Sequence, residues 1–194
     1  SKLGRDVHPH IKKVLKDRKF YENSGGGITL SGGEPTAQPR FCYALLKRSK
    51  ELGLHTALDT CGYVHWATLE RILPYVDLVL LDIKHTDPAK HLQATGKSND
   101  IILNNARKIA RLKEMRIRVP LIPGFNDSLE DIAAIASFVS SELGPVEIDL
   151  LPYNRMGEVK FERLDRPVVA RQTQDQDHVQ SLTDLVASAI GCKE

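Results

Sequence analysis

The chain has 194 residues and a formal net charge of +2, with 41% hydrophobic, 27% charged and only 6% aromatic residues. That length can bury a real core, and that balance excludes a disordered, collagen-like or low-complexity chain. No basic cluster points to nucleic acid, and no apolar run approaches the ~20 residues needed to span a bilayer.

The start, Ser1-Lys2-Leu3-Gly4-Arg5-Asp6, has no apolar signal region, so a cytoplasmic protein is expected. The three cysteines, Cys42, Cys61 and Cys192, lie too far apart in sequence for a zinc ribbon or a disulfide framework. They read as reduced thiols, mostly buried.

In chain order, a first helix is predicted over Val7 to Arg18. Gly25-Gly26-Gly27 then leads into a strand, Ile28-Thr29-Leu30, and Ser31-Gly32-Gly33-Glu34 follows it. The next helix carries Phe41, Leu45, Leu46 and Leu52 on one face and ends at Gly53. Thr56-Ala57-Leu58 makes a second strand, closed by Asp59 and Thr60. A helical stripe of Trp66, Leu69, Ile72 and Leu73 precedes the most apolar strand, Leu78 to Ile83. Asp82 and Lys84 close that strand. A third stripe is Ile102, Ala106, Ile109 and Ala110, followed by a strand over Ile117 to Ile122 that contains Arg118. Asn126-Asp127-Ser128 supplies cap residues for a helix striped by Leu129, Ile132, Ile135, Ala136, Val139 and Leu143, which stops at Gly144. A fifth strand, Val146 to Leu151, and a last helix, Gln174 to Ile190, complete the pattern.

Strand and helix alternating in this way imply βαβ crossovers, a parallel sheet and an α/β fold in one domain over residues 1–194. The sheet could be open and doubly wound, or wound as a barrel. A full eight-unit barrel needs ~250 residues, so a barrel here must be partial. Polar residues at or near every strand's C-terminal end favour the barrel, because barrel sites are assembled there from several strands.

Each polar feature has a plain reading beside its functional one. Gly32 and Gly33 either mark a tight turn or let the backbone approach a small charged ligand, where a carboxylate such as Glu34 suits an ammonium group. Asp82 and Lys84 share one face of a strand, as a surface ion couple or as ligand groups. Arg118 is either a snorkelling residue or an inward-facing anion ligand. The seven histidines are scattered, and His8-Pro9-His10 reads as a solvated helical start.

In order, Gly25-Gly26-Gly27-Ile28-Thr29-Leu30-Ser31-Gly32-Gly33-Glu34-Pro35, Leu58-Asp59-Thr60-Cys61-Gly62-Tyr63, Leu81-Asp82-Ile83-Lys84, Ile122-Pro123-Gly124-Phe125-Asn126 and Leu151-Pro152-Tyr153-Asn154-Arg155-Met156-Gly157 resemble the signature of the glycyl-radical-enzyme activating enzymes. These are members of the radical S-adenosylmethionine (SAM) superfamily, the pyruvate formate-lyase activating enzyme among them. The resemblance runs from about Asp6 to Arg166. It implies a partial (β/α)6 barrel that binds SAM across its strand ends. By this resemblance, the backbone at Gly32 and Gly33, beside Glu34, holds the SAM amino group. Asp82, Lys84 and the backbone of Ile83 contact its ribose and carboxylate region, and Arg118 adds a further contact. Asp59 and Thr60 match positions that hold a monovalent cation. Asn154 stands where many relatives carry a His, and can offer the nucleoside a neutral hydrogen bond. The implied cofactors are SAM and a [4Fe–4S] cluster. The implied partners are a glycyl radical enzyme, of formate acetyltransferase-like or diol dehydratase-like type, and an electron donor such as flavodoxin or ferredoxin.

The sequence departs from the family at the cluster. A [4Fe–4S] cluster of this type needs three thiolates in a C-x-x-x-C-x-x-C loop, and no such loop occurs in the 194 residues. The chain is therefore expected to be a piece of a longer activating enzyme, lacking the first strand and the cluster loop and inactive by itself. Two rival expectations are a cluster-free module that binds SAM or the partner, and a different barrel enzyme using Lys84 as a Schiff-base lysine.

Overall fold

A computed structural model describes residues 2–16, 19, 21, 26–153 and 173–191. The short apolar segments form one five-stranded sheet: β1 (Gly27–Leu30), β2 (His55–Thr60), β3 (Leu78–Asp82), β4 (Glu114–Pro120) and β5 (Glu147–Leu151). The helices are α1 (Lys2–Lys16), α2 (Pro39–Glu51), α3 (Trp66–Ile72), α4 (Pro88–Thr95), α5 (Asp100–Ala110), α6 (Leu129–Phe138) and α7 (Gln176–Gly191). Strand order in the sheet is strand order in the chain, β1-β2-β3-β4-β5. A doubly wound sheet reverses its order at a switch point. Here there is no reversal, so the winding is that of a (β/α) barrel, partial at five strands.

The residues group into two compact units, Ser1–Asp82 with Asp100–Arg116, and Ile83–Asn99 with Ile117–Glu194. In the first, β1, β2 and β3 run parallel, with Leu30 beside Leu58 and Asp59 beside Leu80. The alternation of extended chain then sorts the side chains. Ile28, Leu30, Leu58, Val79 and Leu81 are buried, together with Leu46 of α2 and Leu69 and Ile72 of α3. Each large side chain buried in this way contributes roughly 1.5–3 kcal/mol. Thr29, exposed, and Asp59, Leu80 and Asp82, half-buried, alternate with them. The first set builds the core, together with buried Thr56 and Thr60, and the second carries Asp59 and Asp82.

Helix α1 begins at Lys2, earlier than its expected start at Val7, and Pro9 lies inside it. Proline removes a backbone donor there. Val7 and Ile11 are nevertheless buried, and the His10 ring meets Phe41 of α2 edge-on at 5.4 Å. His8-Pro9-His10 is mid-helix, not a helical start.

In the second unit, Ile117 and Val119 are fully buried while Arg118 between them is half-exposed. The stripe of α6 buries Ile132, Ile135 and Ala136, but Leu129 is 50% exposed. The helix does not run unbroken to Leu143. Val139–Leu143 forms a wider π turn, which Gly144 ends at φ +89°. Helix α7 starts at Gln176 and buries Leu182 and Val186. Among the described residues, no helix is long and apolar enough to cross a membrane.

Candidate functional site

The loop leaving β1 brings five of the expected residues, Gly32, Gly33, Glu34, Asp59 and Thr60, to one place. Gly32 adopts φ +114°, a conformation that favours glycine. Nothing lies within 4 Å of where a Cβ would stand on Gly32 or Gly33. Their backbone therefore faces open space.

Glu34 behaves differently from the sequence expectation. Its carboxylate is turned into the fold, where Oε1 accepts the Thr36 N–H at 3.0 Å, the Thr36 hydroxyl at 2.7 Å and the Thr60 hydroxyl at 2.7 Å. Its Oε2 accepts the Cys61 N–H at 2.8 Å. Burial pushes this carboxyl up, but the hydrogen bonds from Thr36, Cys61 and Thr60 outweigh it and hold the group below its ordinary value. The carboxylate ties the β1 loop to the end of β2. It is the glycine backbone that stays open.

Asp59 and Thr60 sit on the same scaffold. The Ser31 hydroxyl donates to Asp59 Oδ2 at 2.8 Å, and Thr60 Oγ1 accepts the Gly62 N–H at 3.0 Å. Asp82 ends β3 on the half-exposed face. In the second unit, the Ile83 N–H donates to the Arg118 carbonyl at 3.0 Å, so two expected site residues meet through their backbones. Lys84 is half-buried, and its carbonyl accepts a hydrogen bond from Asn126. Asn154 lies outside the described residues.

Sequence reasoning missed the asparagines. Asn105 of α5 donates to the carbonyls of Gly62 and Val64 at 2.9 and 2.8 Å, fixing the loop after β2. Of the expected cap residues Asn126-Asp127-Ser128, Ser128 caps α6, while Asn126 is fully buried. The available signal was an amide at a position flanked by apolar stripe residues, as Asn105 is by Ile102, Ala106 and Ile109.

The residues present fit the amino-acid end of SAM at the open glycine backbone. They do not fit an iron–sulfur cluster. No group of three or more His, Cys, Asp or Glu able to hold a metal occurs among the described residues. Burial, with the negative charge of Glu34 nearby, pushes the Cys42 thiol up to about 12. Cys61 is half-buried, and Cys192 lies outside the described residues.

Comparison with known proteins agrees with the fold. The model of the radical SAM superfamily matches residues 6–139. The chain is 45% identical over 188 residues to the isethionate sulfite-lyase activating enzyme of Oleidesulfovibrio alaskensis, covering 95% of this chain and 60% of that protein. It is 36% identical over 201 residues to the (2S)-3-sulfopropanediol dehydratase activating enzyme of Klebsiella oxytoca, covering 97% and 63%. Among solved structures, a domain of the pyruvate-formate lyase-activating enzyme from Bacteroides vulgatus superposes with a TM-score of 0.69 at 29% identity, over 84% of this chain and 94% of that one. The chain thus spans about 60% of the length of these curated relatives. Members of the superfamily work with SAM and a [4Fe–4S] cluster. The chain belongs to the radical SAM superfamily and is similar in sequence to glycyl-radical-enzyme activating enzymes.

Proposed function

We propose that this chain provides the SAM-binding framework of an enzyme that activates a glycyl radical enzyme in the cytoplasm. The observation that carries this reading is the Gly32-Gly33 backbone, open to space at a strand end while Glu34 beside it is locked inward. In this reading the backbone oxygens at Gly32 and Gly33 accept the SAM ammonium group. The Asp82 carboxylate accepts ribose hydroxyls, while the Lys84 ammonium and the Arg118 guanidinium pair with anionic or polar groups. Ile83 contributes its backbone, and Asn154 contributes a neutral hydrogen bond. Asp59 and Thr60 hold a monovalent cation close to the SAM carboxylate. SAM, when bound, would supply its 5′ carbon: one electron would cleave the S–C5′ bond and release methionine, and the carbon would then take a hydrogen atom from a partner glycine. The chain's own residues orient the nucleoside.

The partner is a glycyl radical enzyme of the lyase or dehydratase kind, formate acetyltransferase-like or diol dehydratase-like. Its activation draws an electron from a flavodoxin or ferredoxin. The relatives' names favour this reading over a Schiff-base role for Lys84.

The test is SAM binding followed by ligand-observed NMR. Without a cluster iron to hold the amino and carboxylate groups, binding is expected near the millimolar range, ~−4 kcal/mol. A Cβ at Gly33 meets no neighbour within 4 Å, so Gly33→Val is expected to fold while its side chain fills the ligand's place. Loss of the SAM signal in Gly33→Val supports the reading. Undiminished binding overturns it.

A further inference from the structure

Three successive carbonyls after β3 are held by two buried asparagines. Asn126 donates to the Lys84 carbonyl at 2.7 Å and to the Pro120 carbonyl at 2.9 Å, and its Oδ1 accepts the Ile122 N–H at 2.7 Å. Asn99, 1% exposed, donates to the carbonyls of His85 and Thr86 at 2.7 and 2.8 Å. Both N–H donors of each amide are thereby used. The His85 ring is held as well. Its Nδ1 accepts the Asp87 N–H at 2.9 Å, so Nε2 carries the proton and donates to Asp131 Oδ1 at 3.1 Å. The residue before Lys84 is fixed by the bond from the Ile83 N–H to the Arg118 carbonyl. A loop on a protein surface ordinarily gives its carbonyls to water. This one gives three of them, from Lys84 onward, to buried amides.

We propose that Asn126 and Asn99 are positioning residues for Lys84, holding its backbone so that the ammonium group reaches a ligand from a fixed point. The inference rests on Lys84 being a SAM contact, as argued above. A lysine stem is flexible, and ordering it opposes binding. A mobile backbone beneath it would add to that cost. A clamped one does not.

The experiment measures SAM affinity by ligand-observed NMR on the full chain, on Asn126→Asp, Asn99→Ala and Lys84→Ala, and on each asparagine variant combined with Lys84→Ala. A thermal melt accompanies each protein. Asn126→Asp keeps the size and the acceptor for Ile122 but turns an oxygen toward two carbonyls. Lys84→Ala is expected to weaken binding about tenfold, the loss of one charged contact. Each asparagine substitution alone should weaken it several-fold, and neither should weaken it further once Lys84 is gone. Losses that simply add in the double variants would overturn the positioning role, as would asparagine variants that bind like the parent while Lys84→Ala does not. Unchanged binding in Lys84→Ala strikes instead at the assignment of Lys84 as a SAM contact. If Asn126→Asp fails to melt cooperatively, Asn99→Ala decides, because Asn99 Oδ1 has no partner among the described residues and its removal uncovers no donor.

Discussion

Glu34 shows what a single residue can and cannot disclose. Its place after two glycines at a strand end was legible, because glycines and strand periodicity are local signals. Its direction was not, because Thr60 and Cys61, which turn it inward, lie 26 and 27 positions away. Replacing Glu34 by Ala leaves two backbone N–H groups and two hydroxyls short of an acceptor, and is expected to cost about 2–3 kcal/mol. The pH dependence has a definite sign. A carboxyl whose folded value is depressed stabilises the fold above its unfolded value, ~4.3 for Glu, and that contribution is lost as pH falls through the lower folded value. Urea midpoints taken from pH 7 down to pH 3 should therefore fall more steeply in the parent than in Glu34→Gln. Parallel curves would show that the carboxylate's charge does not matter to the fold.

At the scale of elements, the stripes of α2, α3 and α5 were legible because each rests on buried residues at helical spacing. Two ends were not. The π turn at Val139–Leu143 keeps apolar residues where an α-helix would also place them, so periodicity cannot distinguish the two. The early start of α1 was hidden by Pro9, which reads as a boundary but sits between buried Val7 and Ile11. The loop after β2 packs tightly against β3. Gly62 has φ +68°, and a Cβ there would stand 2.7 Å from Leu81 Cδ1, on a side chain that is itself fully buried. Gly62→Ala meets both the left-handed backbone penalty and overpacking, together about 2–4 kcal/mol. For a chain of this size each kcal/mol lowers the melting temperature by about 2–4 °C. A thermal melt should show a drop of at least several degrees, and an unchanged melting temperature would mean that Leu81 moves aside freely.

For the whole chain, winding was the most legible property, since alternating strands and helices with polar strand ends describe a barrel before any coordinates exist. The buried amides at Asn99, Asn105 and Asn126 were the least legible, because what makes them important is the distant carbonyls they reach. The cysteines join both lessons. Sequence spacing alone denies this chain a three-cysteine loop, and the structure adds a chemical reason. Cluster iron is ligated by thiolates. Cys42 is 1% exposed and its thiol is pushed up to about 12, so at neutral pH it offers no thiolate. That leaves Cys61 and Cys192 of the three, one fewer than the cluster loop of the family requires. Anaerobic reconstitution of the 194-residue chain with iron and sulfide is expected to yield far less than the about four irons per chain of a [4Fe–4S] cluster. Iron analysis and visible absorption read this directly, and replacing Cys42 by Ala should leave both unchanged. A stoichiometric cluster that disappears in Cys42→Ala would require the α2 core to open around its thiol, and would place the metal chemistry of this chain where the packing now denies it.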